Sequence, residues 1–336
     1  MIFLRCYPRL TDWFWVVSNG AIDIRWIPVY SYGFMVACGF MAAAYFVTRE
    51  IKRRETLGWM PALSYKEGKM EWTSELVGDM VIICAIFGIL GANLFNYFEN
   101  PASYDGFWKD PMGSLFSGLS VYGGMICAGL VLLIFSWRKG IKIPHFFDCM
   151  AYCFILAVGI GRLGCQLSGD ADWGIENTLA KPAYMPQWLW ADTYAHNIAN
   201  EGARMMGCME QHCTELLVPV FPTPVYEFME CTIIFLVLHF IRKRLTSSPG
   251  MLFFIFAILI GVQRYTIEQF RAISDRNLYY IGEHGFKQAE LISIVLVLVG
   301  ILGVAWVYQY YRKNPAEMPQ PLFIQEVEAG EQQSIE

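Results

Sequence analysis

Long apolar stretches alternate with shorter polar ones along most of the chain. Seven of them reach or approach the roughly 20 residues that a helix needs to cross a bilayer. They cover about 27–47, 77–98, 115–137, 146–167, 224–240, 251–270 and 289–311. The pattern predicts an all-α, polytopic membrane protein with about seven transmembrane helices.

The polar stretches divide the chain further. Residues 1–26 are aromatic but contain no spanning run, so we expect an interfacial segment there. In the membrane domain, 27–311, the polar segment 168–223 is by far the longest, and we interpret it as a head on one side of the membrane. Residues 312–336 contain no basic residue after Lys313 and several Glu, which is typical of a disordered tail.

Composition agrees with this assignment, because 55% of the residues are hydrophobic and only 16% are charged. A soluble domain of 336 residues would carry more charge on its surface. The net charge of −5 gives no indication of a nucleic-acid partner.

The basic residues predict an orientation. The loops after the first, third and fifth spans contain six, three and three Lys or Arg, and two more follow the last span. The opposite side has nine, spread over more residues. The positive-inside rule then places the N-terminus and the head outside and the C-terminal tail in the cytoplasm.

This topology brings polar residues of five spans to one depth, near the outer ends of the helices. They are Tyr32, Tyr122, Arg162, Glu227 and Arg264. Glu268 and Arg271 follow Arg264 by four and seven residues, which predicts one helix face. An Arg near the centre of a membrane helix costs about 2.5–3.5 kcal/mol, so its presence needs a reason. We predict one site at the outer membrane interface.

The stretch 159–174, GIGRLGCQLSGDADWG, contains Arg162 and then a polar turn with Asp170 and Asp172. Its three glycines, 159, 161 and 164, match GxGxxG. A dinucleotide site would need them between a strand and a helix, whereas here they lie in an apolar helix. We therefore expect them to allow close helix packing.

Two arginines at headgroup depth suit a phosphate, because the guanidinium stays charged and matches phosphate oxygens bidentately. Carboxylates beside them would hold them in place or take a proton from a nucleophile. Simpler interpretations stay open: Arg264 and Glu268 as an internal ion pair, Arg162 as a tether to Asp170, and the tyrosines as interfacial aromatics.

Most of the ten cysteines lie in apolar runs and are expected to pack as small residues. Cys208 and Cys213 lie instead in the polar head segment, with His212 between them. They would form a disulfide if that segment faces an oxidising compartment. Too few further ligands lie nearby for a metal site, and we expect no metal.

The ordered motifs resemble those of prolipoprotein diacylglyceryl transferases. They are Tyr32-Gly33, SVYGGM (120–125), GRLG (161–164) with the acidic turn and WG, PTPVYE (222–227) and RYTIEQFR (264–271). The resemblance implies a bacterial inner-membrane transferase without a cofactor, surrounded by membrane lipids. It would move a diacylglyceryl group from phosphatidylglycerol to the lipobox cysteine of a preprolipoprotein, forming a thioether and releasing glycerol phosphate.

The same resemblance implies residue roles. Arg162 and Arg264 would hold the lipid phosphate and stabilise charge on the leaving group, with Glu268 positioning Arg264. Asp170 or Asp172 would take the place of the family's acid. The remaining substrate-binding positions would be Tyr32, Cys165, Gly174, Tyr226, Glu227 and Arg271.

This chain also departs from the family pattern. Tyr122 replaces the His that is a natural candidate for thiol activation, Cys165 replaces an Asn, and Asn93 stands where an Arg is usual. A Tyr, with a reference pKa near 10, is a poorer base at neutral pH. One alternative is a paralogue that binds the same lipid but uses another acceptor or is inactive. Another is an anion transporter, which the lack of matching charges in the inner halves of the spans disfavours.

Overall fold

The computed structural model describes residues 6–18, 21–24, 26–27, 29–66, 69–99, 120–208, 212–271, 278–281 and 284–314. In this part of the chain the helices are α1 Leu10–Val17, α2 Ser31–Thr56, α3 Val77–Glu99, α4 Val121–Arg138, α5 Ile143–Ser168, α6 Gln187–Trp190, α7 Thr223–Ile241, α8 Met251–Glu268 and α9 Gln288–Lys313. The strands form antiparallel hairpins: β1 Ser64–Lys66 with β2 Lys69–Glu71, β3 Ala203–Arg204 with β4 Thr214–Glu215, and β5 Leu278–Ile281 with β6 His284–Lys287.

The described helices confirm a mostly helical, polytopic membrane protein. By length and composition, α2, α3, α5, α7, α8 and α9 could each cross a membrane. The third predicted span corresponds to α4, whose apolar part, Gly123–Arg138, is shorter. Residues 115–119 of that span lie outside the described residues, and so does the tail from residue 315. Six candidate spans are therefore present in the described residues, and a total of seven stays a prediction.

The first membrane helix is longer than its apolar run. We expected it to end near Val47, but α2 continues through the basic residues to Thr56. Glu50 lies on the same helix face as Arg53 and Arg54, at 2.5 and 3.2 Å. Arg54 is fully buried and donates to the carbonyl oxygen of His145 on α5. These ion pairs and the burial of Arg54 allow the helix to extend beyond the apolar residues.

The described residues fall into two compact units, one of residues 6–43 and 150–314 and the other of residues 44–149. In the first unit α8 packs against α7 and α9, and in the second α3 packs against α4. Glycines let these helices approach closely: a Cβ on Gly303 of α9 would lie 2.1 Å from the Phe254 ring of α8. In the second unit, a Cβ on Gly91 would lie 2.6 Å from the Gly123 carbonyl oxygen.

Two of the three glycines around Arg162 serve the packing role that we predicted. A Cβ on Gly159 would lie 2.8 Å from Cys231 Cβ on α7, and one on Gly164 would lie 3.2 Å from Tyr32 Cα on α2. The prediction is wrong for Gly161, because a Cβ there would meet nothing within 4 Å. Helix α5 therefore packs closely against both α2 and α7 near Arg162.

The head follows directly from the end of α5. Its β3–β4 hairpin is closed by a disulfide between Cys208 and Cys213, as the sequence allowed. Its core contains residues from distant parts of the chain: Cys6, Trp173, Tyr194 and Val220. The N-terminal segment therefore contributes to the head as well as carrying the short aromatic helix α1.

We use the term N-terminal strap for residues 6–8. The Tyr7 backbone N–H donates to the Leu167 carbonyl oxygen at 2.6 Å, and the Ser31 backbone N–H donates to the Pro8 carbonyl oxygen at 2.9 Å. The Ser31 hydroxyl also donates to the Tyr7 carbonyl oxygen at 2.5 Å. The strap thereby ties the end of α5 to the start of α2, directly beside the turn that carries Asp170 and Asp172.

Candidate active site

The side chain of Arg162 lies near the end of α5 and contacts two carboxylates. Its Nε lies 2.5 Å from Glu227 Oε2, and its Nη1 is paired with Asp172. We had considered Asp170 as its partner, but the ion pair is made by Asp172. The side chain is 24% exposed, so the guanidinium is held by protein groups on one side and stays accessible.

Glu227 is the carboxylate that joins two arginines. It lies one turn into α7, three residues after Pro224, which is accommodated because the first N–H groups of a helix have no intrahelical partner. Its side chain is only 4% exposed. One oxygen contacts Arg162, and the other lies 3.7 Å from Nη1 of Arg264 on α8. The structure thus brings the two arginines predicted to share a site to opposite oxygens of one carboxylate.

Arg264 has a second partner one turn further along α8. Its Nη2 lies 2.9 Å from Glu268 Oε2, and Lys287 Nζ lies 3.6 Å from the other oxygen of Glu268. Arg264 Nη1 is buried and makes no hydrogen bond to the described part of the chain. With a side chain that is 25% exposed, Arg264 keeps donor capacity for an incoming anion.

The turn after α5 supplies the third group of charges. Asp172 pairs with Arg271 as well as with Arg162, and the Thr223 hydroxyl donates to the Asp172 carbonyl oxygen at 2.6 Å. Our prediction that Arg271 continues the α8 face was wrong, because α8 ends at Glu268. Arg271 instead forms an isolated antiparallel bridge with Gly174, which places its side chain at the turn.

Asp170 lies in a different environment from Asp172. The Cys165 thiol shares a hydrogen bond with its carboxylate, and its Oδ1 is buried without a hydrogen-bond partner among the described residues. Burial, and then the neighbouring Asp172 carboxylate, raise the pKa of Asp170 above its ordinary value.

The same turn brings together three potential metal ligands. Potential ligand atoms of Cys165, Asp170 and Asp172 lie within 4.8 Å of one another. A divalent cation there would compete with the two guanidinium groups that already hold Asp172.

The site therefore combines four cations and four carboxylates on elements of one compact unit. The cations are Arg162, Arg264, Arg271 and Lys287, and the carboxylates are Asp170, Asp172, Glu227 and Glu268. Three of the four carboxylates form ion pairs that fix the arginines: Asp172, Glu227 and Glu268. Such an arrangement can bind a phosphate through the accessible guanidinium groups of Arg162 and Arg264.

Comparison with known proteins identifies the family. The family model for prolipoprotein diacylglyceryl transferase matches residues 19–306, which is most of the chain. The chain belongs to this family.

Relatives named phosphatidylglycerol–prolipoprotein diacylglyceryl transferase align over nearly the whole chain. The protein from Corynebacterium glutamicum is 26% identical over 306 residues, covering 90% of this chain and 86% of its own. The protein from Paraburkholderia xenovorans is 24% identical and covers 90% and 95%. The protein from Streptococcus pneumoniae is 26% identical and covers 89% and 95%. Like them, this chain is a transferase.

The structure gives the surroundings of Tyr32, Tyr226 and Gly174, three further positions predicted for the site. Tyr32 is 45% exposed and packs on Gly164, where its Cδ2 would lie 3.3 Å from an added Cβ. The Tyr226 hydroxyl donates to the Leu189 carbonyl oxygen at 2.7 Å, which ties α7 to the head. Position 174 has no room for a side chain, because a Cβ there would lie 2.6 Å from the Phe270 carbonyl oxygen.

Tyr122 falls in the first turn of α4, but its side chain lies outside the described part of the structure, so its role stays a prediction. Cys165 is buried, and its sulfur lies 4.0 Å from Arg162 Nη1. It therefore contacts the arginine and Asp170 but presents little surface to a substrate.

Sequence reasoning missed two residues that organise the site. Thr223 holds the backbone of the acidic turn, and its position inside the motif PTPVYE was the available signal. Lys287 donates to the carbonyl oxygens of Glu268 and Arg271 at 2.7 and 3.4 Å. It satisfies carbonyl groups at the end of α8 and pairs with Glu268, and no local pattern in the sequence indicates this.

We predict that Glu227→Gln destabilises the protein, because it leaves Arg162 and Arg264 facing each other without the shared negative charge. The expected loss is on the order of 2 kcal/mol, less than the 3–5 kcal/mol of a fully buried pair because each guanidinium is about a quarter exposed. Thermal unfolding in detergent measures it. Glu230→Gln, one turn further along α7, is the matched control, since Glu230 forms no ion pair within the described residues. Equal melting temperatures for the two variants would contradict the prediction.

Proposed function

We propose that this chain transfers the diacylglyceryl group of phosphatidylglycerol to the lipobox cysteine thiol of a preprolipoprotein. The reaction forms a thioether and releases glycerol phosphate. The observation that carries the proposal is the pairing of Arg162 and Arg264 with opposite oxygens of Glu227. The names of the relatives, which specify phosphatidylglycerol and prolipoprotein, support the choice of substrates.

The proposed chemistry fits these charges. A carbon–sulfur bond forms at the diacylglyceryl carbon, and the bond from that carbon to the phosphate oxygen breaks. The leaving glycerol phosphate gains a negative charge as the carbon–oxygen bond breaks. Arg162 and Arg264, positioned beforehand by Glu227, Glu268 and Asp172, stabilise that charge without having to reorganise.

The remaining site residues have supporting roles in this proposal. Glu268 orients Arg264, and Arg271 fixes Asp172 from the side opposite Arg162. Tyr32, Tyr226 and Glu227 line the pocket for the lipid headgroup. Gly174 allows the strand after the turn to pass directly beside Phe270.

We also propose the orientation in the membrane: the N-terminus and the head face outside, and the C-terminal tail faces the cytoplasm of a bacterium. The distribution of basic residues supports this orientation. The Cys208–Cys213 disulfide supports it as well, because disulfides persist outside the reducing cytosol.

One observation favours a second candidate function. Tyr122 stands where the family has a His, so the chain could use the same lipid with an acceptor other than a lipobox thiol.

Incubating the purified protein with phosphatidylglycerol and a lipobox peptide should yield a diacylglyceryl peptide, detected by mass spectrometry. Arg264→Ala should lower the rate at least 10²-fold, as expected when a charge-stabilising donor is removed. Arg204→Ala, on the exposed hairpin of the head, is the control and should leave the rate unchanged. Absence of product from folded wild-type protein, or full activity of Arg264→Ala, would contradict the proposal.

Tyr122→His separates the two candidate functions. If lipobox thiols are the natural acceptors, installing His should change the rate of peptide modification by much less than the 10²-fold or more that an added general base supplies. A gain of that size, measured in the same assay, would instead favour a different natural acceptor.

The orientation predicts that the head cysteines are reached from outside. In intact cells, a membrane-impermeant reductant followed by an impermeant maleimide should label Cys208 and Cys213. A variant with both replaced by Ser is the control for labelling elsewhere. Labelling that requires permeabilised cells would show that the head faces the cytoplasm.

A further inference from the structure

The two aspartates of the turn after α5 have opposite environments, although only one residue separates them. We propose that Asp170 is the general base that takes the proton from the acceptor thiol, whereas Asp172 only positions the arginines. This assignment rests on the proposed function and deepens it, because the departure at Tyr122 leaves the proton acceptor of the reaction undefined.

Asp172 forms ion pairs with two arginines, Arg162 and Arg271. Its two oxygens are divided between Arg162 and Arg271, and its backbone carbonyl is fixed by Thr223. Because each of its oxygens already contacts a guanidinium group, Asp172 offers no unoccupied oxygen to a substrate thiol. Its position between them suits a structural role.

The other two carboxylates of the site are similarly occupied. Glu227 is shared by Arg162 and Arg264, and Glu268 by Arg264 and Lys287. Among the four described carboxylates of the site, only Asp170 forms no ion pair. Asp170 is therefore the carboxylate of this group that no directly bound cation occupies.

Asp170 already has a thiol as its neighbour. The Cys165 sulfur lies within 4.8 Å of an Asp170 carboxylate oxygen, so the turn already accommodates a sulfur atom beside this carboxylate. The buried Oδ1 makes no hydrogen bond within the described residues and remains free to accept a proton. The rest of the Asp170 side chain is partly exposed, and in this proposal the lipobox thiol approaches from that exposed side.

The backbone of the turn separates the two aspartates. Gly169 ends α5 with φ +64°, and Ala171 lies between the aspartates with φ +70°. A non-glycine residue is strained in this left-handed region, because its Cβ lies too close to the backbone. The strained Ala171 allows Asp172 to reach Arg162 and Arg271 while Asp170 faces Cys165.

The charged and titratable groups around Asp170 come from several elements: Cys6 of the strap, Tyr32 of α2, Arg162 and Cys165 of α5, Asp172 of the turn and Tyr194 of the head. Burial and Asp172 raise the pKa of Asp170, while Arg162 and the hydrogen bond from Cys165 oppose the increase. A carboxylate with a raised pKa is a better general base near neutral pH than an ordinary one.

A cysteine thiol, with a reference pKa near 8.5, is mostly protonated at neutral pH. Its proton passes to the Asp170 carboxylate as the sulfur attacks the diacylglyceryl carbon. The electron pair of the broken carbon–oxygen bond leaves with glycerol phosphate, which Arg162 and Arg264 bind. The proton on Asp170 is then released to water, which restores the carboxylate.

The test compares Asp170→Asn with Asp172→Asn in the full-length protein, assayed with phosphatidylglycerol and a lipobox peptide from pH 6.5 to 8.5. Asp170→Asn should lower kcat by 10²- to 10⁴-fold at pH 7, with the KM for phosphatidylglycerol little changed. The difference in kcat between Asp170→Asn and the wild type should shrink about tenfold per pH unit, because the free thiol ionises without a base as the pH rises. Asp170→Glu should restore part of the rate.

Asp172→Asn should behave differently. It should raise the KM for phosphatidylglycerol about tenfold or more, since a charged contact to each arginine is lost, and its deficit should not depend on pH. Glu176→Gln, an exposed residue of the head, is the control and should match the wild type. In the wild type, activity should fall as the pH drops through the raised pKa of Asp170, because protonation removes the base.

Three outcomes would overturn the assignment: a wild-type rate for Asp170→Asn, a deficit that is constant over the pH range, or a loss confined to KM. Failure of the proposed function has a separate signature, because the wild-type protein would then give no diacylglyceryl peptide at any pH.

Discussion

The interaction on which the site depends is the shared carboxylate of Glu227. Two guanidinium groups held close together repel each other, and their partial burial reduces the screening of this repulsion by water. A buried carboxylate between them offsets this repulsion and also fixes their spacing. Helices α5, α7 and α8 contribute Arg162, Glu227 and Arg264, respectively. The three charges therefore meet only when these helices pack together.

Much of this arrangement could be predicted from the sequence. Apolar runs define the membrane helices because the bilayer sets their length, and the spacing of charges between them suggests an orientation. Together these place Arg162, Glu227 and Arg264 at one level, and the structure shows them in contact. The family follows from the order of the motifs, and the match over residues 19–306 confirms it.

The details that the sequence could not supply depend on non-local contacts. Helix periodicity predicted Arg271 on the α8 face, but the helix ends before it and Lys287, 16 residues away, binds its carbonyl oxygen. Which aspartate pairs with Arg162 depends on the left-handed conformation of Ala171. The presence of an alanine in the sequence does not indicate this conformation. Likewise, α2 runs past its apolar stretch because Arg54 is buried against α5.

The N-terminal strap has a consequence for how the protein acquires its native form. It lies before residue 19, where the family match begins, yet Cys6 is part of the head core and Tyr7 bonds to the last turn of α5. The N-terminal strap can therefore pack only after residues more than 150 positions later in the chain have been synthesised. During synthesis the acidic turn stays without one of its supports until both segments have emerged on the same side of the bilayer. A chain trimmed to the family-matched region would lack that support permanently.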